Sequence, residues 1–127
     1  LYLVNRDGKT LWKKDLPPGS WGVACKELDW SGAGQPGEIL VYGFPDANEY
    51  AAIYNGNGEV VDTLPVPWKT PPIKLAGKEV AYATRADVWG DSRQEVILFG
   101  GGGVAIYANT RPLALPTHYN ETIYSGM

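Results

Sequence analysis

Short antiparallel strands gathered into repeated sheets are the architecture that these 127 residues predict. Three observations carry that expectation. Turn-forming residues are dense, with 16 Gly and 10 Pro. No stretch keeps helical periodicity through three turns. The latter part of the chain also repeats the earlier part. The predicted class is therefore all-β.

The predicted strands follow in order. Leu1 to Val4 and Thr10 to Lys14 flank Asp7-Gly8, a pair that supplies the positive φ of a tight hairpin. Trp21 to Leu28 contains GVACKEL, whose alternation points its apolar positions, Cys25 among them, toward a core as a buried inert thiol. Glu38 to Tyr42 and Tyr50 to Tyr54 come next, and Asn57-Gly58 turns the chain into Val60 to Thr63. Glu79 to Ala86, Glu95 to Phe99 and Val104 to Tyr107 complete the set, with Gly100 to Gly103 between the last two. These are meander connections.

The repeat is visible residue by residue. LDWSGAGQPGEILVYG aligns with ADVWGDSRQEVILFG, pairing Asp29 with Asp87, Glu38 with Glu95 and Gly43 with Gly100. AIYNGNGEVVDTLP aligns with AIYANTRPLALP, and the opening LYLVNRDGKTLWKKDLPP resembles the same closing half. Tyr2, Tyr54 and Tyr107 fall 52 and 53 residues apart. A period of about 50 with four short strands per unit is the signature of a β-propeller blade. Residues 1–18 are read as the end of one blade, 19–66 as a second, and 67–127 as a last blade with a tail. Two and a half blades cannot close a ring that needs roughly four to eight. Either the residues belong to a larger propeller whose other blades lie elsewhere in the same protein or several copies assemble, and the opening inside a strand-like run, without Met, favours the first.

Composition excludes several function classes. Eleven Lys and Arg against 14 Asp and Glu leave a net charge of −3, which offers no basic footprint for nucleic acid. No apolar run approaches the roughly 18 to 20 residues of a membrane span, and the first ten residues lack the order of a signal peptide, so no membrane partner is expected. One His and one Cys do not make the four ligands of structural zinc.

A resemblance adds to this reading. The run Ala86-Asp87-Val88-Trp89-Gly90-Asp91-Ser92-Arg93-Gln94-Glu95-Val96-Ile97, followed by Ile106-Tyr107-Ala108-Asn109-Thr110-Arg111-Pro112, resembles the last blade of β-propeller polysaccharide lyases. These are the rhamnogalacturonan lyases and the related rhamnose-glucuronate lyases that act on gum arabic. The closing HYNETIYSGM is closer to the second group, and Trp21 to Thr63 matches only as a preceding blade of the same kind. The resemblance implies a secreted enzyme that cleaves an acidic, rhamnose-containing plant polysaccharide by β-elimination. The C5 proton of a uronate is removed and the C4–O bond breaks. That chemistry requires a neutralised carboxylate and a base within about 3 Å of the proton. A non-catalytic module that binds carbohydrate or protein is the rival reading, and a structural piece with no site of its own is the third.

Candidate residues are judged against that demand. Lys78, in Gly77-Lys78-Glu79 and near Asp87, lies close to where rhamnogalacturonan lyases carry Gly-x-Lys, but one place early and followed by a carboxylate. Arg85, on the same inner strand, offers a guanidinium to clamp a uronate, or a salt bridge to a neighbouring blade. Trp68 is a flat face for a sugar ring in an insertion stiffened by Pro65, Pro67, Pro71 and Pro72. His118 is the lone imidazole, suited to proton transfer but placed in the tail. Asp87, Asp91 and Glu95, four residues apart, offer oxygens for Ca²⁺, although the EF-hand order is missing. The competing expectation is structural: Asp91 and Arg93 pair or satisfy turn amides, and Glu95 begins a strand. Trp30 and Trp89, at matching positions, are expected to pack between blades. Asn120 heads an Asn-Glu-Thr sequon, which fits glycosylation in a secreted eukaryotic protein.

Overall fold

A computed structural model describes residues 1–15, 24–42, 50–65, 74–75, 78–79, 82–100 and 103–112, with the backbone only at 50, 74–75 and 78–79. The described residues are all-β, without a helix, and every strand pairing is antiparallel. Sheet I is the hairpin of β1 (Tyr2–Val4) and β2 (Thr10–Lys13). Sheet II is a four-stranded meander of β3 (Ala24–Leu28), β4 (Glu38–Tyr42), β5 (Tyr50–Asn55) and β6 (Val60–Pro65). A two-residue ladder of β7 (Lys74–Leu75) and β8 (Lys78–Glu79), not expected from the sequence, precedes sheet III. Sheet III is the meander of β9 (Tyr82–Ala86), β10 (Glu95–Gly100) and β11 (Gly103–Tyr107). The expected beginning of the third strand, 21–23, and any fourth strand of sheet III after residue 112 lie outside the described residues.

The repeat is physical, because the same local devices recur. In sheet I the Asn5 side-chain oxygen accepts from the amides of Asp7 at 3.0 Å and Lys9 at 2.9 Å. In sheet II the Asn55 oxygen accepts from Asn57 and Glu59, both at 3.0 Å. Such turns suit Asn, whose side chain mimics a backbone carbonyl, and both close on a left-handed Gly, Gly8 (φ 80°) and Gly58 (φ 78°). Each hairpin carries its bulge at the same place, between Leu3 and Val4 and between Ile53 and Tyr54. That register makes Asn5 equivalent to Asn55, and hence Tyr2 equivalent to Ala52 rather than to Tyr54. The Tyr54 and Tyr107 pairing expected from sequence does hold, since each sits opposite the residue that follows the equivalent glutamates, Ile39 and Val96.

Packing follows from the two faces of sheet II. Leu28, Leu40, Tyr42, Ala51, Ile53 and Leu64 on one face join Ala83, Val96 and Leu98 of sheet III in a single core, with Tyr107 packed against it. The opposite face, Val41, Ala52 and Tyr54, packs against Leu1 beside sheet I. Sheet II is thus covered on both sides, which is why its strands carry apolar residues on both faces. Trp12 ties sheet I to it: the indole nitrogen donates to the Gly56 carbonyl at 2.8 Å, and the ring lies where a Cβ on Gly58 would stand at 2.9 Å. Across the second junction the Tyr107 hydroxyl donates to the carbonyl of Pro65.

Cys25 departs from its expected burial. It is exposed although its ladder partner Val41, on the same face, is buried: β3 is the edge strand of sheet II, and among the described residues sheet I does not reach across to it.

Candidate functional site

The loops between the first and second strands of sheets II and III hold most of the residues singled out from sequence. They share one construction. Asp29, at the end of β3, accepts from the amides of Gly32 at 2.9 Å, Ala33 at 2.8 Å and Gly34 at 2.9 Å. Asp87, at the end of β9, accepts from Gly90 at 2.6 Å and Ser92 at 3.2 Å. An aspartate here gathers the turn amides that no strand partner satisfies. The loop then returns to a glutamate that opens the next strand. Glu38 accepts from the Trp30 amide at 3.1 Å, and Glu95 from Val88 at 2.7 Å and Trp89 at 2.9 Å. Left-handed residues recur at Gly32 and Gly90 (φ 80° and 78°) and at Gly34 and Ser92 (φ 80° and 73°), so the two loops match without a gap from the aspartate as far as Gly34 and Ser92, and the one extra residue of the first loop falls between there and Glu38.

This register bears on the carboxylates proposed for Ca²⁺. Asp87 and Glu95 are committed to backbone amides, and Asp91 to Arg93. Asp91 accepts from the Arg93 amide at 3.0 Å and from Nε at 2.8 Å, with Nη2 on the same oxygen, while Arg93 Nη1 donates to the Arg111 carbonyl at 2.6 Å. Hydrogen bonding from Arg93, with its charge, outweighs burial and holds the Asp91 carboxyl below the usual carboxylate range. Among the described residues no group of three His, Cys, Asp or Glu side chains is placed to hold a metal ion. The donor set therefore does not fit Ca²⁺, and the structural use expected for Asp91, Arg93 and Glu95 is the one found.

Arg85 lies on β9 and pairs through Nη2 with Glu27 of β3, the register-equivalent residue of the adjacent sheet. Its Nε is buried without a partner. The side chain that sequence offered as a uronate clamp already has its charge matched. The Lys78 side chain, Trp68, His118 and Asn120 lie outside the described residues.

Trp30 and Trp89 part company. Trp30 is 4% exposed, in the core between sheets II and III, whereas Trp89 is 75% exposed. Counting from the aspartates places Val88, not Trp89, at the position of Trp30. Trp89 stands one place further along the loop, and no packing of it between the described sheets is formed.

The junction of sheets II and III is the most elaborate polar arrangement. Gln94 and Asp29 exchange two bonds, Gln94 N to the Asp29 carbonyl at 2.9 Å and Asp29 N to Gln94 Oε1 at 3.1 Å. Asn109 Nδ2 donates to the Trp30 carbonyl at 2.8 Å. Asp62, on β6, accepts from the Trp30 indole at 2.7 Å and from both arms of Arg111, at 2.7 and 3.0 Å. Burial would raise the Asp62 pKa, but the hydrogen bonds from Arg111 and Trp30, with the Arg111 charge, together hold it below its ordinary value. A cleft of about 250 Å³ opens beside this network, lined by Trp30, Ser31, Glu38, Val61, Arg93, Asn109, Arg111 and Pro112. The charged groups of the cleft are engaged with one another or with backbone, so its chemistry is that of an inter-sheet joint. Sequence reasoning missed Asp62, Gln94 and Asn109. Their only signal was position: Asp62 occupies the place of Trp12, and both reach across to the turn of the following sheet.

Comparison with family models, with curated proteins and with solved structures found no match.

Proposed function

We propose that the chain forms successive blades of a β-propeller and that its described residues are scaffold, not catalytic machinery. The observation that carries this reading is the recurrence of one joint. Trp12 of sheet I reaches the turn of sheet II, Asp62 of sheet II reaches Arg111 of sheet III, and each sheet lays one apolar face on the next. A stack propagated by a repeated joint is how blades are arranged. Further units of the same repeat close the ring.

For the whole propeller we propose polysaccharide lyase chemistry, cleavage of a rhamnose-uronate linkage of gum arabic type by β-elimination, with endo-acting rhamnogalacturonan cleavage as the alternative. This rests on the resemblance of residues 86–97 and 106–112. The Gly90-Asp91-x-Arg93-x-Glu95-Val96 core of that resemblance is used to fold the loop. Likeness there speaks for blade architecture, and the base and the carboxylate-binding cations belong to other residues, Lys78 and His118 being those this chain offers. A carbohydrate- or protein-binding propeller shares the same scaffold.

Absorbance near 235 nm, where unsaturated uronates absorb, tests the chemistry. The protein is incubated with gum arabic and separately with rhamnogalacturonan, with and without a chelator. A rise on gum arabic is expected, and a flat trace on both substrates with folded protein replaces the lyase with a binding module.

A further inference from the structure

Among the described residues sheet II has a neighbour on each face, so what its turns expose is not the surface of a terminal sheet. Its β5–β6 turn, Asn55-Gly56-Asn57-Gly58-Glu59, holds two Asn-Gly pairs. The side chain of Asn is thermolabile, because the amide nitrogen of the following residue can attack its carboxamide carbon, and Gly in second place leaves that nitrogen unshielded by a Cβ. The two pairs differ in how they are held. Asn55 Oδ1 accepts from the amides of Asn57 and Glu59, both at 3.0 Å, and its Nδ2 donates to Glu59 Oε2 at 2.8 Å. Asn57 is exposed, and among the described residues its side chain has no hydrogen-bond partner. What restrains the attacking nitrogen there is the bond from Gly58 N to the Asn55 carbonyl, at 3.0 Å.

The same turn in sheet I supplies an internal comparison. Asn5 accepts the two amide bonds that Asn55 accepts, and Asp7 stands at the place of Asn57, before the left-handed Gly8. An aspartate is therefore accommodated at this position. An isoaspartate is not equivalent, because its main chain runs through the former side-chain carbon and gains a methylene. That lengthened link falls between Gly56, whose carbonyl receives the Trp12 indole, and Gly58, against which the Trp12 ring lies. Through those contacts Trp12 ties sheet I to sheet II.

The geometry points to Asn57 as a site of spontaneous covalent modification whose isoaspartate product releases sheet I from sheet II. The Gly58 amide nitrogen gives up its proton and attacks Asn57 Cγ. The new C–N bond closes a succinimide, the Cγ–Nδ2 bond breaks, and ammonia leaves with that proton. Water then opens the ring, giving aspartate where it attacks Cγ and isoaspartate where it attacks the main-chain carbonyl carbon. Water is the only co-reactant, and no enzyme is required. The inference is independent of both the blade reading and the lyase chemistry.

Peptide mapping by mass spectrometry tests this on the full chain, incubated folded in mildly alkaline buffer and in parallel unfolded in urea, with the amide-to-acid mass change assigned to Asn55 or Asn57 by fragmentation. In urea the two sites are expected to convert alike. In the folded chain Asn57 is expected to convert to aspartate and isoaspartate. Asn55 is expected to convert at least about tenfold more slowly, because three hydrogen bonds of its side chain must open first, against the bond at Gly58 N for Asn57. Hydrogen exchange on the separated products then reads the joint. The isoaspartate form is expected to lose protection at the amides of sheet I and to keep it in sheet III, while Asn57→Asp, with the same charge on an ordinary main chain, keeps both. Folded Asn57 that stays intact while the unfolded chain converts, or Asn55 that converts as fast as Asn57, overturns the site. An isoaspartate form with unchanged protection in sheet I overturns the release.

Discussion

Replacing Trp30 and Trp89 by Ala, one at a time, separates the register read from sequence from the register of the folded loops. Equivalent residues would respond alike. In the structure Trp30 is 4% exposed and Trp89 75% exposed. A buried Trp removes about 150 to 250 Å² from water, worth about 4 to 6 kcal/mol at 25 cal/mol/Å², and measured Trp-to-Ala changes in cores cost about 3 to 5 kcal/mol. The indole bond to Asp62 is lost as well, but Arg111 still holds that carboxylate, so the lower figure of about 3 to 5 kcal/mol is the expected loss for Trp30→Ala. Trp89 buries about a quarter as much of its surface, which limits its loss to about 1.5 kcal/mol. Urea unfolding followed by far-UV circular dichroism reads both, without depending on the fluorescence of the residue removed. With a slope of about 2 kcal/mol/M, Trp30→Ala lowers the midpoint by about 2 M, and Trp89→Ala by less than about 1 M. Equal shifts would refute the register drawn from Asp29 and Asp87, and with it the assignment of Val88 to the position of Trp30.

Two further predictions concern the loop carboxylates. Glu95 is 1% exposed and serves two amides where Glu38 serves one, so Glu95→Ala should cost more than Glu38→Ala, by about 1 to 3 kcal/mol for the additional orphaned amide, in the same urea experiment. The Asp91 carboxyl is held below its ordinary range in the folded state. Its contribution is therefore complete above the unfolded carboxylate value of about 3.9 and is lost as pH falls through the lower folded value. Asp91→Asn should destabilise the protein near neutrality and flatten the acid limb of its stability profile; an unchanged acid limb, measured as melting temperature against pH, would show that the pair with Arg93 is not formed in solution.

Much of the architecture was legible in particular residues. Asp7-Gly8 and Asn57-Gly58 announced hairpins because only a few residue types enter the left-handed region, and both turns form where expected. The pairings of Asp29 with Asp87 and Glu38 with Glu95 survived into the structure because each residue answers a local demand, an uncapped turn or an unpaired amide, that its own loop creates. Trp30 with Trp89 and Tyr2 with Tyr54 did not survive. Residue identity is a poor guide to equivalence when hydrogen bonding, not side-chain type, sets the register.

The sequence by itself determined the all-β class, the places of the strands, the period near 50 and the Asp-to-Glu loop, all of which rest on interactions among residues close along the chain. Only the tertiary structure decided how much of sheet II its neighbour covers, and so why Cys25, on the edge strand β3, is exposed. It also decided that Arg85 is matched by Glu27, and that Asp62 gathers Trp30 and Arg111 from two sheets. Those outcomes depend on how one sheet is laid on another, a relation between residues up to 58 positions apart that no local pattern encodes.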